Sequence, residues 1–182
     1  MDGLEAGRSG VGKPTLQPKS EVHSTLEKIL RENPETTRRL RALWALHVTG
    51  GVTEEMGLRL LKESDEFLCA WAIQFLAERK NPSEAVLKEF VRLAEADISP
   101  VVRLYLATAA QRLPTAQREA IVSGLITHAE DAQDQNLPLM YWYALEPVVG
   151  KDPAKAAGFI GKTRIPLLRQ FITRRVASGG PK

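Results

Sequence analysis

The sequence predicts an all-α fold: a right-handed α-solenoid of about five helix pairs behind a disordered N-terminal arm. Three observations predict it. Apolar residues recur at three- and four-residue spacing, with no period-2 stretch and no Asn-Gly or Asp-Gly hairpin signal. Breaks punctuate these stretches at Asn33-Pro34, Gly50-Gly51, Asn81-Pro82, Ser99-Pro100, Leu113-Pro114, Leu137-Pro138, Asp152-Pro153 and Ile165-Pro166. Finally, Leu68-Cys69-Ala70-Trp71-Ala72-Ile73 lies over Val102-Arg103-Leu104-Tyr105-Leu106-Ala107 at one constant offset, a period within the range of helical repeats.

Taken in order, residues 1–22 form the arm. They are rich in Gly, Pro and Ser, show no periodicity and hold too little apolar surface to offset chain entropy. The run Gly7-Arg8-Ser9-Gly10-Val11-Gly12-Lys13-Pro14-Thr15 is one residue away from a phosphate-binding G-x-x-x-x-G-K-[ST] loop. Pro14 stands where the Mg²⁺-binding hydroxyl belongs, and no strand precedes the run, so we read no nucleotide site there. Residues 23–178 are the helical repeat domain, in which each proline opens a helix where its missing N–H costs nothing. Within it, Pro82–Ala96 pairs Val86 with Phe90 and Leu87 with Val91, and Thr115–Ala129 pairs Ile121 with Leu125 and Val122 with Ile126. Such one-sided helices must stack on something. Residues 179–182 form a flexible tail.

Composition excludes several classes. The 182 residues carry 43% hydrophobic and 26% charged side chains, the balance of an ordinary soluble globular chain. One cysteine, Cys69, permits no disulfide framework, no multi-thiolate zinc site and no CxxCH haem attachment. No apolar run reaches the roughly 18 residues of a spanning helix, and Met1–Ser20 lacks the apolar core of a signal peptide. The net charge of +3 is weak but unevenly placed. Lys151–Lys182 holds eight Lys/Arg and one acid, leaving the rest slightly acidic.

The run Pro100-Val101-Val102-Arg103-Leu104-Tyr105-Leu106-Ala107-Thr108-Ala109-Ala110-Gln111-Arg112-Leu113 resembles a HEAT repeat. Proline starts the helix, Val and Leu face the core, Ala lets neighbouring repeats approach, and Arg can tie successive repeats together. Position 69 departs from the pattern, with Cys in place of that Arg. The run from His128 to Pro147, with Ala42–His47 and Ala70–Ile73, resembles more narrowly the HEAT-like segment of the large multidomain c-type cytochromes of planctomycetes and verrucomicrobia. The resemblance covers roughly residues 36–177. It implies a docking or spacer module related to an exported redox protein, whose partners are a dehydrogenase-like propeller and a cytochrome c domain. Haem c is implied only for those relatives. No cofactor is expected in this chain.

Candidate sites follow from the residues. His128, Glu130, Asp131, Asp134 and Asn136 cluster at a helix junction, where they could hold a hard cation or a partner's basic group, or simply cap the next helix. Met140, Tyr141, Trp142, Tyr143, Glu146 and Pro147 form the densest aromatic patch, to be read as core or as a contact surface. Pro147 should kink or stop its helix. The basic end offers Lys162, Arg164, Arg169, Arg174 and Arg175. No nucleophile–base pair appears, and His23, His47 and Cys69 stand alone. The expected function is therefore non-catalytic: a scaffold that binds a protein partner or neighbouring domain, chiefly through Trp142, Tyr143, Glu146, His128, Asp131, Asp134, Arg164, Arg169 and Arg175. The alternative is a nucleic-acid-binding solenoid, which requires Arg164, Arg169 and Arg175 to line one face with Lys151 and Arg103. No membrane span or small-molecule substrate is expected.

Overall fold

The computed structural model describes residues 21–79 and 81–179. It is all-helical, with no strand among the described residues. The order is α1 (Glu21–Glu32), α2 (Thr36–Val48), α3 (Glu54–Leu60), α4 (Glu66–Ala77), α5 (Glu84–Ala96), α6 (Pro100–Arg112), α7 (Thr115–Leu125), a 3₁₀ turn (Ala129–Gln133), α8 (Leu137–Lys151), a second 3₁₀ turn (Pro153–Lys155), α9 (Ala156–Lys162) and α10 (Pro166–Ala177). Glu21 and Val22 are in the first turn of α1, so the helical part starts two residues before the expected boundary. The remainder of the arm, the phosphate-loop-like run and residues 180–182 lie outside the described residues.

Local chemistry sets the helix ends. The side chains of Thr53, Asp65, Ser83 and Ser99 accept hydrogen bonds from first-turn amides of α3, α4, α5 and α6. Proline opens α6 and α10 and stands in the first turn of α8. One expectation is corrected, and of the two outcomes expected at Pro147 one is removed. The helix expected over Thr115–Ala129 ends at Leu125, because the Thr127 hydroxyl donates to the Gly124 carbonyl at 2.7 Å and the chain turns through His128. Pro147 does not end α8, which continues to Lys151. The lost bond falls on the carbonyl of Tyr143, whose side chain is 53% exposed.

Helices α2, α4, α6, α8 and α10 pack side by side in chain order. α1 covers α2, α3 covers α4, α5 and α7 lie together behind α6, α7 also meets α8, and α9 meets α10. The repeat visible in the sequence is also a repeat of burial. In α4, Leu68, Cys69, Ala72, Ile73, Phe75 and Leu76 are buried; at the equivalent positions of α6, so are Val102, Arg103, Leu106, Ala107, Ala109 and Ala110. One repeat further along, Leu137, Pro138, Tyr141, Ala144 and Leu145 follow in α8. Burying each of the larger apolar side chains is worth about 1.5–3 kcal/mol. Hydroxyl–carboxylate bonds tie adjacent N-termini together: Thr36 donates to Asp65, and Ser99 donates to Glu66 at 2.5 Å. Gly124 lets α7 approach the backbone of α5, since a Cβ there would lie 2.9 Å from the Ala94 carbonyl carbon.

Candidate interaction surface

Each helix of the α2–α4–α6–α8 row carries large apolar side chains at the edge of the core, some exposed and some half-buried against it. α2 contributes Trp44, 39% exposed, and Val48 one turn on. α4 contributes Phe67 and, one turn later, Trp71; α6 contributes Tyr105 and α8 contributes Leu139, Met140 and Tyr143. The rings form a ladder across the row. Trp44 meets Trp71 edge-on with centroids 5.2 Å apart, and Trp71 meets Tyr105 at 6.1 Å. Phe75, 5.4 Å from Trp71, stacks at 3.7 Å on His47, which also meets Glu78. Between Trp71, Leu104, Tyr105, Thr108 and Met140 lies a cleft of about 430 Å³. These aromatics supply large contact area with few rotatable bonds.

Behind this face lies a buried polar junction. Arg103, 2% exposed, donates from Nε to Asp131 Oδ2 at 2.7 Å and from Nη2 to Oδ1 at 2.5 Å. The Tyr141 hydroxyl donates to Asp131 Oδ2 at 2.5 Å, and Arg103 Nη1 donates to the Asp97 carbonyl at 2.8 Å. Burial alone would lower the basicity of Arg103, but the bidentate bond and charge of Asp131 raise it. Burial, reinforced by Asp131, holds the Tyr141 phenol protonated far above its usual range. Every strong group in the junction has a partner, so it fixes how α6, α8 and the 3₁₀ turn meet.

The residues singled out from the sequence divide among these two places and a third. Asp131 belongs to the junction, and both its oxygens are taken. His128 is also inside, with Nε2 on the Ala94 carbonyl at 2.9 Å and Nδ1 on Glu130 at 2.7 Å. Asp134 is exposed and caps α8, accepting from the amides of Leu137 and Asn136, which hold its carboxyl below the usual range. Tyr143 lies on the open face. Trp142 leans on Phe171 of α10 at 5.4 Å, and Glu146 accepts from Arg175 Nε at 2.5 Å, with the guanidinium lying over Gly150. Arg169 is turned back onto the Thr163 carbonyl, while Arg164 is exposed.

The basic residues that the nucleic-acid alternative needs on one face are differently placed. Arg103 is interior, Arg175 is paired with an acid and Arg169 serves a carbonyl. The ladder Trp44–Trp71–Tyr105 was not singled out by sequence, although the repeat offset already sets Trp71 over Tyr105. Among the described residues, no group of three or more His, Cys, Asp or Glu gathers to hold a metal, and no helix is long and apolar enough to cross a membrane. Comparison with protein-family models, with curated proteins and with solved structures finds no match.

Proposed function

We propose that the chain is a non-catalytic protein-interaction module, a right-handed HEAT-like solenoid that offers the outward stripe of α2, α4, α6 and α8 to a partner polypeptide or neighbouring domain. The observation that carries this is the ladder Trp44–Trp71–Tyr105, flanked by the exposed Val48, Phe67, Leu139 and Tyr143. Aromatic and apolar side chains left exposed or half-buried along a row of helices supply the area a contact site needs. The solenoid reading is supported by the recurrence of buried positions from α4 to α6 to α8 and by the chain-order packing of the helices. The narrower reading, a docking or spacer segment beside a dehydrogenase-like propeller and a cytochrome c domain, is supported by the sequence resemblance of His128–Pro147.

The test is capture of partners by the purified chain at low and high salt, beside the variant Trp44→Ala/Tyr143→Ala. Both side chains are exposed, so the variant should keep its helical circular dichroism. The expected result is a polypeptide retained at high salt by the parent and lost by the variant. Recovery of salt-sensitive nucleic acid, or equal capture by both, would overturn the reading.

A further inference from the structure

The N-terminal edge of the α2–α4–α6 row holds a second surface, distinct from the ladder but continuous with it through Phe67. Here a cleft of about 1090 Å³ lies between the start of α2 and the loops before α4 and α6. Its walls include Leu40, Phe67, Ile98, Pro100 and Val102. Ile98 is 92% exposed and Phe67 47%, so apolar surface stands open at the rim. Among the described residues no Lys, Arg or His lines the cleft, whereas Glu63, Asp65, Glu66 and Asp97 do. Glu63 is matched by Arg39 at 3.0 Å. Asp65, Glu66 and Asp97 accept hydrogen bonds from hydroxyls and backbone amides, but no cation pairs with them among the described residues.

The repeat explains the imbalance. Cys69 and Arg103 occupy equivalent positions of α4 and α6, and each is followed at the same spacing by an acid, Asp97 and Asp131 respectively. At the later junction the acid is closed by its arginine. At the earlier one a thiol fills the arginine's place, on the floor of the cleft; Arg103 reaches only the backbone carbonyl of Asp97, whose carboxylate has no ion pair among the described residues. The side-chain acceptors already hold hydroxyls and amides, which suits a cation arriving from outside better than a desolvated metal ion.

We propose that this cleft docks a basic peptide segment of a protein partner, an extended stretch in which a lysine or arginine faces Asp97 and Glu66 and a neighbouring apolar side chain packs between Phe67 and Ile98. The volume suits a few side chains of an extended strand. The acidic rim favours cations and disfavours phosphate-bearing ligands. This assignment rests on the reading of the chain as a protein-binding module, and it names the chemistry of the partner.

The test uses the full chain and fluorescence anisotropy with a labelled peptide of lysine, leucine and glycine. Two control peptides replace leucine by serine or lysine by glutamate. The lysine–leucine probe should bind about tenfold tighter than either control, combining apolar contact with charge. Glu66→Gln/Asp97→Asn keeps the acceptors and removes the charge; it should weaken the probe about 3–10-fold at low salt, with the gap closing at high salt. Ile98→Ser should weaken it about 3–5-fold. Cys69→Arg supplies the missing cation from within and should suppress probe binding while circular dichroism stays helical. Trp44→Ala/Tyr143→Ala should leave the probe unaffected, so failure here is distinguishable from failure of the ladder. Equal binding of the probe and controls, or unchanged binding by all cleft variants, would overturn the proposal. So would tighter binding by Lys13→Glu/Lys19→Glu, which would mean that the chain's own basic segment competes for the cleft. Self-association abolished by Ile98→Ser would likewise assign the cleft to a second copy.

Discussion

The α4–α6 and α6–α8 junctions occupy equivalent places in the repeat and are closed in opposite ways. Between α6 and α8 the slot holds Arg103, paired inside the protein with Asp131, which also accepts from the Tyr141 hydroxyl. Between α4 and α6 it holds Cys69, equally buried, whose Sγ lies 3.8 Å from the Leu61 carbonyl. One slot is specified by a buried ion pair, the other by a neutral thiol, with the Ser99–Glu66 bond at its edge. A buried ion pair contributes little net stability over a well-packed apolar equivalent, but losing one member leaves an uncompensated charge. The ionic junction should therefore be the less forgiving of the two.

The largest effect should come from breaking the pair on one side. Arg103→Met or Asp131→Leu is expected to cost about 3–5 kcal/mol, measured by urea denaturation. The joint variant Arg103→Met/Asp131→Leu should recover much of that loss and so convert the ionic junction towards its apolar counterpart. If the joint variant were as unstable as the singles, packing rather than charge would set the difference. Gly124→Ala tests the backbone approach that holds α5 and α7 behind both junctions. With a Cβ placed 2.9 Å from the Ala94 carbonyl carbon, the helices must part, at about 1–3 kcal/mol. Tyr141→Phe keeps the ring and removes one donor to Asp131, costing about 1–2 kcal/mol in the same assay.

The smallest effect at neutral pH should be Cys69→Val, under about 1.5 kcal/mol, since it keeps an apolar side chain of comparable size in the slot. This variant sharpens the comparison in alkali. Burial pushes the Cys69 thiol up to about 12, whereas an unfolded cysteine ionises near 8.5. The folded chain thus holds this proton more tightly. Its contribution is complete below about 8.5 and is lost as pH rises through 12. Stability of the parent should fall more steeply than that of Cys69→Val across this window, and parallel curves would contradict the burial of the thiol.

Much of the helix order was legible because prolines and short polar side chains act locally. Ser99-Pro100 and Ile165-Pro166 mark starts whatever surrounds them, and Val86/Phe90 faces the core as its spacing requires. The end of α7 was not legible: Thr127 turns back onto Gly124, and His128 is fixed by the carbonyl of Ala94, a full repeat earlier in the chain. Pro147 read locally as a kink or a stop, yet packing of Ala144, Leu145, Val148 and Val149 carries α8 past it. The acidic run was visible as a cluster, but its division was not. Asp131 and Asp134 stand one turn apart, one buried against Arg103 and the other capping a helix in water. Only the position of α6 decides which is which. The aromatic ladder was half visible, since Trp71 over Tyr105 follows from the offset, whereas Trp44 meets Trp71 through the pairing of α2 with α4.

The side-by-side order of the helices also bears on how the chain folds. Its principal helix contacts join elements one or two places apart in sequence, so few long loops must close before packing is rewarded. Such local topology belongs with fast folding. It also allows the ends to open without the middle: α1 rests mainly on α2, and α10 on α8 and α9. Amide hydrogens should therefore exchange soonest in the terminal helices and latest around α6, where both the repeat and the Arg103 pair hold the backbone.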